Sequence, residues 1–192
     1  MKQLAVLVAL TGSVLFDLER DEVPPTARTI DGTRFVAEGH QVRPFTKQVR
    51  IEVPVHEVFA AWTDADVFPR AYAPDSSELA ANIDLAIGGR FEWLWDGTTG
   101  SNGCQILSYL PDRMLSFSWN APPSQPESRA HHTWVVVEFD AVSDGATELA
   151  LTHLGFGPEP HWDETRAYFQ KAWEHVLAQF RTNLEARAAA RD

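Results

Sequence analysis

The sequence predicts an α+β fold, an antiparallel run of strands followed by one long carboxy-terminal helix. Three observations carry that prediction. Between Leu79 and Leu154, segments with alternating apolar residues are separated by marked turns at Gly88-Gly89, Asp96-Gly97, Gly103, Pro111-Asp112 and Asp144-Gly145. Short turns between neighbouring strands make an antiparallel meander. Beyond them, Trp162, Phe169, Trp173, Val176, Phe180 and Leu184 recur at steps of three, four or seven, the apolar stripe of a long helix. Asp163-Glu164 at its start and Arg187 and Arg191 at its end suit the helix dipole. A chain of 192 residues is also long enough for one domain with a sizeable core plus a tail.

The elements follow in order. Met1-Lys2 and the apolar run from Leu4 to Leu10, continuing to Phe16, fit two readings. One is an export signal and the other a cytosolic strand or helix packed on the domain, so the chain is either exported or cytoplasmic. No A-x-A cleavage site follows, and the run is too short to span a bilayer. Residues Asp17 to Gln41 read as a polar linker with Pro24-Pro25, so residues 1–41 stand apart from a domain at 42–187 and a tail at 188–192. Val49, Ile51 and Val53 alternate as a first strand ended by Pro54. Val55, Val58, Phe59 and Trp62 fall at helical spacing, and a second short helical turn covers Asp66 to Tyr72. Six strands are then expected near Leu79–Leu85, Arg90–Trp95, Cys104–Tyr109, Arg113–Trp119, Thr133–Phe139 and Thr147–Leu154. Prolines end the fourth of these after Trp119.

One hairpin can be put in register. With Ser143-Asp144-Gly145 as a three-residue loop and Gly145 left-handed, Val142 faces Ala146. Leu149 then pairs with Phe139, Leu151 with Val137 and His153 with Val135, which puts His153 on the inner face.

A net charge of −11 argues against nucleic acid and anionic membranes as partners. Seven Trp and eleven Phe suit a generous core or an apolar pocket. Cys104 is the only cysteine, which rules out an internal disulfide and a multi-cysteine zinc site. In a strand-like run it reads as a small buried apolar residue. No metal site or cofactor is implied. His131 and His132, adjacent on a strand, point to opposite faces, and His131 sits roughly 13 Å from His153 at about 3.3 Å per residue. Glu92 alternates with Phe91 and Trp93 and should face solvent.

The order of these elements resembles a known family. Its marks are Val53-Pro54 with Val58-Phe-Ala-Ala-Trp-Thr63, Ile87-Gly-Gly-Arg-Phe-Glu92, Pro111-Asp-Arg-Met-Leu-Ser-Phe-Ser-Trp119, and Glu148-Leu-Ala-Leu-Thr-His-Leu-Gly-Phe156 before the tryptophan-bearing helix. They resemble the domain related to the carboxy-terminal part of the activator of the ninety-kilodalton heat-shock-protein ATPase, in the START-like, birch-pollen-allergen-like superfamily. The likeness covers Val42 to Leu184, and Trp119-Asn-Ala-Pro-Pro123 looks like a subgroup of small bacterial members. The resemblance implies the helix-grip fold, a curved sheet wrapped around the long helix with space for a cavity between them. Phe91, Trp93, Trp95, Leu115, Phe117 and Trp119 would face that helix. With Val135, Val137, His153, Phe169 and Trp173 they are the candidate cavity lining. The activator proper carries a separate chaperone-binding domain, and the stretch before Val42 is too short to be one, so direct chaperone activation is not expected.

Three functions remain open from the sequence. The preferred one is a non-catalytic module holding a small hydrophobic or amphipathic molecule between sheet and helix. The second is a cyclase- or hydrolase-like enzyme with His153 as acid–base group and Tyr168 assisting. The competing role for His153 is a core histidine bonded to a backbone carbonyl, Asp163 or Tyr168. The third is a co-chaperone-like or stress-related interaction module. Nothing in the sequence decides the oligomeric state.

Overall fold

Alternating apolar residues and helical stripes fold as their periods require. The computed structural model describes residues 43–191. The apolar segment 1–16 and the linker expected up to Gln41 lie outside the described residues. Strand β1 (Phe45–Ile51) leads into helix α1 (Val55–Thr63) and helix α2 (Phe68–Tyr72). Strands β2 (Leu79–Ile83), β3 (Phe91–Trp95), β4 (Thr99–Gly100), β5 (Ile106–Leu110) and β6 (Met114–Trp119) follow. A four-residue helix, α3 (Pro126–Arg129), precedes β7 (Thr133–Ser143) and β8 (Ala146–Leu154), and helix α4 (His161–Ala189) ends the described chain.

The strands form two antiparallel sheets, β1-β8-β7-β6-β5 and β2-β3-β4, where the sequence pattern suggested one meander. Gly88-Gly89 and the turn at 101–104 bend the chain between them. At Gly89 a Cβ would lie 2.1 Å from the Asp84 carbonyl oxygen, so only glycine lets the backbone close up there. An isolated bridge between Arg90 and Gln105 and the Phe91 N–H to Cys104 C=O bond of 2.9 Å join the two sheets. The two-residue strand β4 and helix α3 had no strong local pattern. Pro126 sits in the first turn of α3, where its missing N–H costs nothing.

The β7–β8 register is the one expected: Phe139 faces Leu149, Val137 faces Leu151 and Val135 faces His153. The turn that produces it differs. Ser143 pairs with Ala146 across the two residues Asp144-Gly145, and Val142 is accommodated as a bulge. Gly145 is not among the glycines with positive φ. The buried pairs fix the register, and the extra residue is absorbed at a half-exposed position where a bulge disturbs no packing.

Helix α4 lies along the sheets and buries Trp162, Phe169, Trp173, Val176, Leu177, Phe180 and Leu184. It runs on to Ala189, into the first residues of the expected tail. Inside, Trp62 of α1 stacks on Phe180 at 4.9 Å and 14°. Phe68 meets Trp93 at 4.3 Å, and Phe91 meets Phe117 at 4.1 Å. Each buried ring withdraws about 150–250 Å² from water, on the order of 4–6 kcal/mol at about 25 cal/mol per Å² before ordering entropy is subtracted. The space between sheet and helix is therefore largely filled by aromatic side chains. Glu92 is only partly exposed, because its carboxylate accepts from the Asn82 side chain at 3.1 Å and the Gly103 N–H at 2.8 Å, clamping β2, β3 and the turn before β5.

Candidate functional site

An open groove remains beside this packed interior, where the ends of β3 and β6 meet α2 and α4. Its larger lobe holds about 610 Å³. The walls are Trp93, Trp95 and Trp119 from the strands, Tyr72 from α2, and Tyr168, Phe169 and Trp173 from α4, with Lys171, Ala172, His175 and Val176 completing the helix side. Positions 168, 169, 172, 173, 175 and 176 share one face of a helix of 3.6 residues per turn, which is why they line one wall. Ala172 is the smallest of them, and its missing bulk leaves room. A smaller lobe of about 180 Å³ shares Trp93, Trp95, Trp119, Tyr168 and Phe169 and extends to Ser101, Asn120 and Arg129.

The eleven residues proposed as cavity lining separate here. Trp93, Trp95, Trp119, Phe169 and Trp173 stand on the groove. Phe91, Leu115, Phe117, Val135, Val137 and His153 are fully buried in the interior, because rings from α1 and α4 close over them. Trp95 shares the parity of Phe91 and Trp93 yet is 40% exposed, since its strand ends at the groove mouth. Sequence reasoning missed Tyr72, Lys171, Ala172, His175 and Val176 as wall residues. The helical ones were legible as neighbours of the apolar stripe, whereas Tyr72 came to the groove only through tertiary packing.

His153 points inward as its register requires and is 0% exposed. Trp173 Nε1–H donates to its Nδ1 at 2.9 Å. Its Nε2 lies 2.7 Å from Thr133 Oγ1, and the Thr133 hydroxyl donates to the Trp119 carbonyl at 2.9 Å. With that proton committed, Thr133 accepts from His153 Nε2–H, and the ring is the neutral Nε2–H tautomer. Burial pushes its pKa down to about 3, which agrees with a neutral ring. The partners are Thr133 and Trp173, in place of the backbone carbonyl, Asp163 or Tyr168 considered from sequence. His153 thus links two groove tryptophans by hydrogen bonds, Trp173 directly and Trp119 through Thr133.

Tyr168 lies at the rim, 44% exposed. Burial, with a smaller push from Tyr168, holds the Tyr72 phenol above the ordinary range, so it stays protonated and can donate. Neither hydroxyl is paired among the described residues. The buried indole N–H of Trp93 likewise has no acceptor among them. His131 and His132 are exposed just ahead of β7 and do not reach the groove. Among the described residues no group of three His, Cys, Asp or Glu is placed to hold a metal ion, and no helix is long and apolar enough to cross a membrane. The groove offers flat aromatic faces for apolar contact and two phenols for a polar group.

A sequence profile of the family described as Activator of Hsp90 ATPase homolog 1-like protein matches residues 52–185. Comparison with curated proteins finds no match. Among solved structures the chain is similar to a protein from Mesorhizobium loti, with a TM-score of 0.61 at 19% identity over 75% of this chain and 98% of that one. It is also similar to an HSP90 activator from Plasmodium falciparum, with a TM-score of 0.57 at 23% identity over 76% of this chain and 96% of that one. A protein from Rhodobacter sphaeroides gives 0.58 at 18% identity, over 76% of this chain and 95% of that one. At such identities the likeness is one of fold. The profile begins just after β1 and spans both short helices that follow it, strands β2 to β8 and most of α4. The chain therefore belongs to the Activator of Hsp90 ATPase homolog 1-like protein family.

Proposed function

We propose that the protein is a binding module that holds a small hydrophobic or amphipathic molecule in the groove between the β3 and β6 ends and α4. One observation carries the reading. A cleft of about 610 Å³ walled by aromatic side chains stays open although the neighbouring interior is closed by the Trp62–Phe180 stack. That volume falls within the roughly 300–1,000 Å³ of small-molecule sites. The enzyme reading is less well supported, because its acid–base candidate is a buried neutral imidazole with both nitrogens engaged.

The test uses N-phenyl-1-naphthylamine, a neutral dye that fluoresces when it leaves water. It should bind saturably to the wild type. Ala172→Phe fills the groove from a half-exposed helix position and should weaken binding by at least about tenfold, or 1.4 kcal/mol, with the circular dichroism spectrum unchanged. No saturable binding, or equal binding by the variant, would overturn the reading.

A further inference from the structure

The polar groups around the groove carry a charge pattern opposite to that of the chain. The sequence holds 27 acidic and 16 basic residues, yet among the described residues no Asp or Glu lines either lobe. The larger lobe has Lys171 and His175 at its helix rim, and the smaller has Arg129. Lys171 enters no ion pair among the described residues.

Arg129 is the more informative cation. It belongs to α3, and its half-buried guanidinium is held entirely by neutral oxygens. One terminal nitrogen donates to Asn120 Oδ1 at 3.3 Å and to the Ala121 carbonyl. The other donates to the Gly100 carbonyl at 2.8 Å and to Asn102 Oδ1 at 3.4 Å. These bonds set its position, none of them is to a carboxylate, and among the described residues it enters no ion pair and its Nε–H is unpaired. Withdrawing a cation from water without a counter-ion is costly, so a fixed half-buried guanidinium beside an open pocket favours an anion there. Ser101 lines the same lobe. Its Oγ accepts from the Trp93 backbone N–H at 2.8 Å, which leaves its own proton to donate.

We infer that the groove selects amphipathic organic acids, with a compact carboxylate in the Arg129 lobe and the apolar body across Trp93, Trp95 and Trp119 into the larger lobe. The shared aromatic wall makes the two lobes one continuous track, so head and body can be bound together. This inference rests on the groove being a ligand site, and the experiment separates the two.

Decanoate, decanol and decyltrimethylammonium share one chain and differ in head charge. Each is titrated, below its micellar range, against bound N-phenyl-1-naphthylamine at pH 7.5. Decanoate should displace the dye at a concentration at least about tenfold lower than decanol, and the ammonium should be the weakest. Raising the salt from about 50 mM to about 500 mM should narrow the gap between decanoate and decanol. Arg129→Gln should abolish the preference, while Lys171→Gln should keep most of it. Should Arg129→Gln fail to fold, the wild-type order and its salt dependence decide alone. Equal competition by all three amphiphiles would overturn the charge selectivity and leave the binding reading standing. A preference lost in Lys171→Gln but kept in Arg129→Gln would overturn the placement of the head group. A dye that never binds would remove both readings.

Discussion

At the scale of single residues, His153 shows how a polar side chain is made safe in an aromatic interior. It accepts from Trp173 and donates to Thr133, so neither ring nitrogen is left unmade. Its neutral state has a consequence for acid stability. An unfolded histidine titrates near 6.5, whereas burial holds this one at about 3. Between those values the unfolded chain takes up a proton that the folded chain refuses, so stability is lost as pH falls through that window. Urea unfolding at pH 7 and pH 5 should show a loss about 2 kcal/mol greater for wild type than for His153→Gln, from about 1.4 kcal/mol per unit below 6.5. Equal losses would mean that the folded protein can protonate His153. The inward direction of this residue was legible from hairpin parity. Its partners were not, because Thr133 and Trp173 each lie 20 residues away and reach it only through folding.

At the scale of elements, the short β3–β4 hairpin carries the groove. Strand β3 supplies Trp93 and Trp95, and Gly100 of β4 receives Arg129 through its carbonyl. At Gly100 the pairing leaves no room for a side chain, since a Cβ there would lie 1.8 Å from the Trp93 carbonyl oxygen. Gly100→Ala should therefore force β4 off β3, lower stability by at least about 2 kcal/mol and remove dye binding. Gly97 provides the control. Its φ is +75° but open space surrounds it, so Gly97→Ala should cost only about 1 kcal/mol of backbone strain and leave binding intact. Thermal unfolding and dye titration of the two variants check this, and a stable Gly100→Ala that still binds would contradict the described pairing. The strand β3 was evident from its Phe91-Glu-Trp-Leu-Trp95 alternation. Strand β4 was not, because two residues cannot display a period. The β7–β8 hairpin teaches the complementary point: its buried pairs prescribed the register whichever turn closed it, so the register was readable while the bulge at Val142 was not.

At the scale of the whole molecule, Cys104 reports on whether the two sheets stay together. It is fully buried, its carbonyl accepts the Phe91 N–H that joins the sheets, and burial pushes its thiol up to about 12. The thiolate is the reactive form, so a disulfide reagent at pH 8 should leave the native protein unmodified and label one thiol on unfolding. Native labelling should be at least about a thousandfold slower than in urea, tracking the open fraction. Rapid native labelling would show that the sheets separate locally.

The sequence by itself determined the class, the order of the main strands and helices, the register of the β7–β8 hairpin and the side of the sheet on which the aromatics gather. Those features follow from periods of 2 and 3.6 and from turn residues, which are local. Tertiary structure alone decided which aromatics are filling and which are wall. Trp62, Phe68 and Phe180 meet from three separate helices to close the interior, while Trp95 and Tyr168 stop short at an edge. Alternation assigns a side chain to a face. How much of that face is covered depends on the volume that distant elements bring to it, and no local pattern records that volume.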